Sequence, residues 1–104
     1  MANRKLGLLL STPPSHPSVE TVVELTQAAL RKGVDVYLYL IDEGVKTVTD
    51  QRYLRLIDAG VKMSVCAYGC QQHGVQTVTV DSRVSLSGLV VLSGIIGGCD
   101  RFLA

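Results

Sequence analysis

Short apolar runs alternate with stretches of helical periodicity along most of this chain, and this alternation limits the folds that are open to it. The segment from Lys5 to Ser11 is short and nearly all apolar, as expected for a strand that is covered on both faces. The segment from Val19 to Leu30 then repeats apolar residues at helical spacing. Since an order of strand, helix and strand is what the crossovers of a parallel sheet require, the sequence predicts an α/β fold.

Two Gly-Val pairs mark points at which a helix ends and a strand begins. Gly33 is the predicted cap of the first helix and precedes the second strand, "VDVYLYLI", while Gly60 ends a helix that begins near Thr49. The stretch from Asp42 to Gly44 is predicted to be a turn. The other predicted elements are a strand from Val61 to Val65, a short helix from Cys66 to His73, a strand from Val75 to Val80, a helix from Leu86 to Ile96 and a strand from Arg101 to Leu103. We therefore expect a single domain, residues 1–104, with a mainly parallel five-stranded sheet.

The charge and composition of the chain indicate which kinds of partner and which location to expect. A net charge of +1 gives no reason to expect nucleic acid or an anionic membrane, so neither is predicted. The apolar run from Leu6 to Leu10 is shorter than the ~7 to 15 residues of a signal-peptide core. The run "VSLSGLVVLSGIIGG" is broken by serine and glycine and falls short of the ~18 apolar residues of a membrane span, so it predicts a buried or interface helix and a homo-oligomer. Three cysteines in no regular framework favour reduced thiols and a cytoplasmic location.

The carboxyl ends of parallel strands lie at one edge of the sheet, where open α/β sheets bind their ligands. His16, Asp42 and Ser85 each lie in a segment that follows a predicted strand, which makes them candidate ligand-binding residues at this edge. His16 sits in a proline-rich loop, where it is either solvated or placed to polarise a bound anion or assist proton transfer. No glycine-rich phosphate loop and no G-x-G-x-x-G motif follows the first strand, so no cofactor is predicted.

Cys66 lies where the third strand meets the short helix that follows it. At the amino end of a helix, unpaired backbone N–H groups and the helix dipole favour a thiolate, which is the nucleophilic form of cysteine. A free cysteine is also often a small buried hydrophobe, and position alone leaves these two roles equally open.

Cys70 and His73 would share one helix face with Cys66, because the three are four and three residues apart. A zinc site would need a fourth ligand and lacks the paired C-x-x-C arrangement of structural zinc sites, so no metal is predicted. A lasting disulfide between Cys66 and Cys70 is disfavoured because an intact helical turn does not readily give the required geometry, although a transient redox bridge stays open. Cys99 is predicted to pack in the core.

Three segments of the chain resemble the DsrE/DsrF-like sulfur-relay family, and most of all its TusD/DsrE subunits. They are "VYLYLIDEGV", "VCAYGCQQHGV" and "VSLSGLVVLSGIIGGCDRFLA", in the order and spacing of the family. The resemblance implies a three-layer α/β/α fold and assembly into hexamers; a homomeric trimer or hexamer is therefore expected. It also implies that Cys66 is the cysteine that carries a persulfide, with sulfur donor and acceptor proteins as partners.

The chain differs from the family pattern beside this cysteine. Cys70 and His73 stand where members commonly have a small residue and an arginine, and the stretch between Gly74 and Ser85 is shorter than in TusD-like subunits. When protonated, His73 would replace the arginine as the partner of an anionic persulfide. The leading hypothesis is a sulfur carrier or sulfurtransferase acting through Cys66, with Cys70 and His73 as candidate assisting residues. The alternatives are a non-catalytic ligand-binding or scaffold oligomer, and a dithiol redox protein that uses Cys66 and Cys70.

Overall fold

The five strands form one sheet in which every pairing is parallel. The computed structural model of the protein describes residues 4–104. In chain order the strands and α-helices are β1 (Lys5–Leu10), α1 (Pro17–Arg31), β2 (Asp35–Leu40), α2 (Gln51–Asp58), β3 (Lys62–Cys66), α3 (Ala67–Gln72), β4 (Ser85–Ser87), α4 (Leu89–Gly98) and β5 (Arg101–Leu103). Two 3₁₀ helices, Asp42–Thr49 and Thr77–Thr79, lie between them.

The strand order β4-β3-β2-β1-β5 explains how helices come to lie on both faces of the sheet. The chain builds the sheet outward from β1 to β4 and then returns to the opposite edge as β5. Right-handed crossovers place α1 and α2 on one face and α4 on the other. The α/β class, the five-stranded parallel sheet and the α/β/α layers predicted from the sequence are therefore confirmed.

The main core lies between the sheet and the two helices α1 and α2. Alternate residues of β2, among them Leu38 and Leu40, point into this core and are fully buried. Tyr53 of α2 is also fully buried, and its hydroxyl donates a hydrogen bond of 3.0 Å to the carbonyl oxygen of Val19 in α1. The bond satisfies a polar group that would be costly to bury alone and ties the two helices together.

Among residues 4–104, α4 is the one helix that covers the opposite face of the sheet. This helix is made of apolar residues, serine and glycine, and several of its large side chains are exposed, including Leu89, Val90 and Ile96. Ile95 points inward, where it lies against Gly7 of β1. Within residues 4–104, no helix is long and apolar enough to cross a membrane.

The prediction of a fourth strand from Val75 to Val80 is wrong. That segment is an exposed loop with a 3₁₀ turn, and Val78 in its middle is 88 % exposed. The strand is instead β4, where the polar sequence Ser-Leu-Ser pairs with the end of β3. Valine and threonine favour strands locally, but a strand also needs a neighbour to pair with and a face to bury.

Two neighbouring predictions are corrected as well. The last helix begins at Leu89 rather than Leu86, because Leu86 is paired in β4 and Gly88 is the residue that precedes the helix. The predicted turn from Asp42 to Gly44 is the first part of a 3₁₀ helix that continues to Thr49.

Candidate functional site

A cavity of about 920 Å³ opens at the carboxyl edge of the sheet, between α3 and the turn that joins β4 to α4. The residues that line it come from three segments of the chain and include Ile41, Asp42, Cys66, Tyr68, Ser87 and Leu89. Because the ends of β2, β3 and β4 meet at this edge, segments distant in sequence share one cavity.

Cys66 is the last residue of β3 and the cap of α3, as the sequence predicts. Its side chain is only 7 % exposed and lies at the wall of the cavity. The backbone N–H of Gly69 donates a hydrogen bond of 3.4 Å to Cys66 Sγ. With only six residues, α3 has a small dipole. The N–H of Gly69 is therefore the main polar interaction that this helix provides to the sulfur.

Gly69 also determines how closely α3 packs on the 3₁₀ helix Asp42–Thr49. A Cβ atom at this position would lie 2.9 Å from Cγ1 of Val45, which is too close for an ordinary contact. The absence of a side chain therefore brings Asp42 and Cys66 to the same cavity.

Tyr39 is a site residue that the sequence analysis did not identify. It pairs with Ser64, which lies two residues before Cys66, so Tyr39 and Cys66 point to the same face of the sheet from adjacent strands. Its hydroxyl is buried and donates a hydrogen bond of 3.1 Å to the carbonyl oxygen of Gly88. Burial, followed by the nearby Cys66, raises the pKa of Tyr39 to about 12. The hydroxyl therefore keeps its single proton near neutral pH. It donates that proton to Gly88 in this structure and can donate it to a charged Cys66 sulfur instead by rotating about the C–O bond.

The sequence carries a signal for Tyr39. In "VDVYLYL", residues alternate between two faces, and the aromatic hydroxyls fall on the face opposite to the aliphatic side chains. A buried tyrosine needs a partner for its hydroxyl, which points to a polar patch on that face of the sheet.

Ser87, rather than the predicted Ser85, lines the cavity. The register pairs Ser87 with Cys66 at the end of the strands. It pairs Ser85 with Ser64, two residues farther from the carboxyl edge. The two hydroxyl oxygens, Oγ of Ser85 and Oγ of Ser87, are 2.8 Å apart and hydrogen-bonded. Ser85 thus contacts a cavity residue without being one of the lining residues.

Asp42 and His73 meet at the far end of α3 from Cys66. Nε2 of His73 and Oδ1 of Asp42 are 2.9 Å apart, and Asp42 is one of the residues lining the cavity. The hydrogen bond described for the His73 side chain goes to this carboxylate and not to the thiol. Asp42 has a φ of 54°, in the left-handed region that few residues other than glycine, asparagine and aspartate adopt.

The other two cysteines have surroundings unlike those of Cys66. Cys70 is fully buried, and this burial, followed by the nearby Cys66, raises the pKa of its thiol. Cys99 is half-buried beside Gly7 on the α4 face, away from the main core in which it was predicted to pack. Cys66, Cys70 and Cys99 are all free thiols. Among residues 4–104, no three side chains of histidine, cysteine, aspartate or glutamate cluster closely enough to hold a metal ion.

His16 lies at a different cavity from Cys66. It is the residue that caps α1, and its Nδ1 accepts a hydrogen bond of 3.0 Å from the backbone N–H of Ser18. The structure thus brings Cys66 and Asp42 to one cavity, connects His73 and Ser85 to it through one hydrogen bond each, and leaves His16 outside.

Comparisons with known proteins connect this geometry to a family. The model of the DsrE/DsrF-like family matches residues 4–104. Among curated proteins, no sequence matches significantly. The structure is similar to that of the YchN protein from E. coli, with a TM-score of 0.85 and 18 % identity over 96 % of this chain and 97 % of that one.

Two proteins of unknown function have similar structures. MTH1491 from Methanobacterium thermoautotrophicum has a TM-score of 0.77 and 14 % identity over 99 % of this chain and 100 % of that one. BT1422 from Bacteroides thetaiotaomicron has a TM-score of 0.74 and 16 % identity over 96 % of this chain and 94 % of that one. At these identities the three structures support the fold.

Proposed function

Because this chain belongs to the DsrE/DsrF-like family, we propose that it is a sulfur carrier or sulfurtransferase that accepts persulfide sulfur on Cys66 and passes it to an acceptor thiol. The observation that supports this role most directly is the position of Cys66 in the wall of the large cavity at the carboxyl edge. Cys70 is fully buried by contrast, and Cys99 lies beside Gly7 and is not one of the residues that line this cavity.

The proposed transfer is a thiol exchange at sulfur. The Cys66 thiolate attacks the outer sulfur of a donor persulfide, R–S–SH. A bond forms between Sγ and that sulfur while the donor's S–S bond breaks, and the electron pair leaves with the donor as R–S⁻. The product is a Cys66 persulfide and a donor thiol. Attack by an acceptor thiolate on the outer sulfur then regenerates the Cys66 thiolate, so no net oxidant or reductant is needed.

The surroundings of Cys66 suit an intermediate of this kind. The N–H of Gly69 already donates to Sγ. The Tyr39 hydroxyl lies on the same face of the sheet and donates to Gly88 in this structure, and it becomes a second donor when it turns to a charged sulfur. The low exposure of the sulfur limits the access of water and oxidants to a bound persulfide. Transfer therefore needs a partner that can reach into the cavity, and we propose donor and acceptor proteins in this role.

The direct test is to incubate the reduced protein with a low-molecular-weight persulfide donor and measure its intact mass. We expect the mass to rise by one sulfur atom and to return to the starting value after treatment with dithiothreitol. A protein that gains no sulfur over a range of donor concentrations would contradict the proposal.

Tyr39→Phe is expected to reduce the rate of sulfur loading on Cys66 about tenfold, which is the effect of losing one hydrogen bond to a charged group. The change removes only the hydroxyl and leaves the aromatic ring in its packing position. Loading is followed by mass spectrometry at several times after donor addition. Tyr37→Phe is the matched control, because Tyr37 lies on the same strand and face but not at the cavity. Equal loading rates in the wild type and Tyr39→Phe would exclude a role for this hydroxyl.

We also propose that the chain forms a homo-oligomer, a trimer or hexamer. The exposed apolar side chains of α4, among them Leu89, Val90 and Ile96, form a patch of the kind that marks a protein interface. Light scattering at micromolar concentration should therefore give a mass several times that of the chain, and a monomer would contradict the proposal. Replacing Val90, which is 87 % exposed, with aspartate should shift the mass toward that of the monomer.

The three free thiols are compatible with a reducing compartment, and we propose a cytoplasmic location. The burial of Cys70 argues against a dithiol redox role, because its thiolate is disfavoured and an oxidant must reach it through the core. The cavity itself favours a second candidate function, the binding of a small ligand with no part for the thiol.

A further inference from the structure

The described lining of the Cys66 cavity carries a negative charge and no positive charge. Among its described lining residues, Asp42 is the only one with a charged side chain. The others, such as Ile41, Leu86 and Leu89, are mostly apolar or uncharged. A ligand that enters the cavity therefore meets one negative charge and no positive charge from its walls.

The position of this charge is fixed by two features. The left-handed backbone at Asp42, with a φ of 54°, determines how the side chain leaves the 3₁₀ helix, and the bond from His73 holds Oδ1. A neutral imidazole with its proton on Nε2 can donate this bond, so the contact does not require a positive His73. The nearest acidic neighbour in sequence, Glu43, forms an ion pair of 3.9 Å with Lys46 and is not a lining residue.

We propose that the Cys66 cavity selects its sulfur donor by charge, admitting neutral or cationic organic persulfides and disfavouring anionic ones, and that Asp42 is the residue responsible. This proposal rests on the proposed function and names the substrate class of the same site. The Asp42 side chain is 65 % exposed, so water and salt screen its charge; at low ionic strength the carboxylate still attracts a cation and repels an anion that approaches the mouth of the cavity. Inorganic donors such as thiosulfate are therefore disfavoured.

The reaction rate of Cys66 with two charged thiol reagents measures this selection directly. The probes are trimethylammonium-ethyl methanethiosulfonate, which is cationic, and sulfonatoethyl methanethiosulfonate, which is anionic. In each reaction the Cys66 thiolate attacks the sulfenyl sulfur, a disulfide forms, and methanesulfinate leaves with the electron pair. Peptide mapping by mass spectrometry assigns the label to Cys66 rather than to Cys70 or Cys99.

In Asp42→Asn, the ratio of the cationic to the anionic rate constant should fall about fivefold relative to the wild type, at low ionic strength. Asparagine tolerates the left-handed backbone, so the substitution removes the charge without straining the chain. Asp42→Gly is a second neutral variant that also tolerates this conformation. Salt should reduce the effect in the wild type and have less influence in the variants.

Glu43→Gln is the matched control, because it makes the same change in net charge one residue away without altering a lining residue. Its rate ratio should stay close to that of the wild type. The proposal is overturned if the Asp42 variants keep the wild-type ratio, or if Glu43→Gln lowers the ratio as much as they do. Failure of sulfur loading in the separate donor experiment would contradict the carrier function instead, so the two proposals fail in different measurements.

Discussion

Cys66→Ser is expected to abolish sulfur loading, whereas Cys70→Ser is expected to keep it. The serine hydroxyl is nearly the size of the thiol but is not a nucleophile toward persulfide sulfur at neutral pH. Cys70 is fully buried, and burial raises the pKa of its thiol, so it has neither the access nor the thiolate that loading requires. Intact mass after incubation with a persulfide donor should show the added sulfur in the wild type and in Cys70→Ser but not in Cys66→Ser.

Cys99→Ser completes this comparison as a control for the third free thiol. If Cys66→Ser still gains sulfur while Cys70→Ser does not, the assignment of the carrier cysteine is wrong. The same variant separates the carrier from a ligand-binding protein. A cavity that only binds a ligand should keep its affinity in Cys66→Ser, because serine preserves its shape.

Gly44→Ala is expected to destabilise the fold by about 3 kcal/mol, a loss of roughly a hundredfold in the ratio of folded to unfolded protein. A Cβ atom at this position would overlap the carbonyl oxygen of Leu10 in β1. That oxygen also accepts a hydrogen bond of 3.0 Å from the backbone N–H of Ile41, and β1 is held by strands on both sides, so neither group can move away cheaply. Urea unfolding measures the change in free energy.

Gly94→Ala is the control for this prediction, since it makes the same chemical change in the middle of α4. A Cβ atom there meets nothing within 4 Å, and alanine favours a helix over glycine by about 0.5–1 kcal/mol. The two variants should therefore change the unfolding free energy in opposite directions. A Gly44→Ala protein as stable as the wild type would show that the close approach to β1 is not essential.

The three longest strands were predictable because their signals are local. β1, β2 and β3 are buried on at least one face along most of their length, so they appear as continuous apolar runs bounded by turn residues. β4 was missed because it has three residues, two of them serine, and depends on its pairing with the end of β3. A strand of this kind is defined by its neighbour in space, which periodicity does not reveal.

The residues of the candidate site also include some with a local sequence signal and some without one. Cys66 could be identified from its local position between a strand and a helix, which needs no knowledge of strand order. The contact between His73 and Asp42 joins residues 31 positions apart, and the contact between Tyr39 and Gly88 joins residues 49 apart. These partners follow from the packing of α3 and from the register of β3 and β4, neither of which the sequence specifies locally.

The contact between Tyr39 and Gly88 also bears on the order in which the site is made. Contacts between residues 49 positions apart form only after the intervening chain has been synthesised and has folded back. The hydrogen bond from Gly69 to Cys66, by contrast, spans three residues and needs only the turn that follows β3. During synthesis the thiol is therefore present before the β4–α4 turn can cover it. The time for which Cys66 is exposed to oxidants in a newly made chain therefore depends on how fast the carboxyl-terminal part of the chain docks onto the sheet.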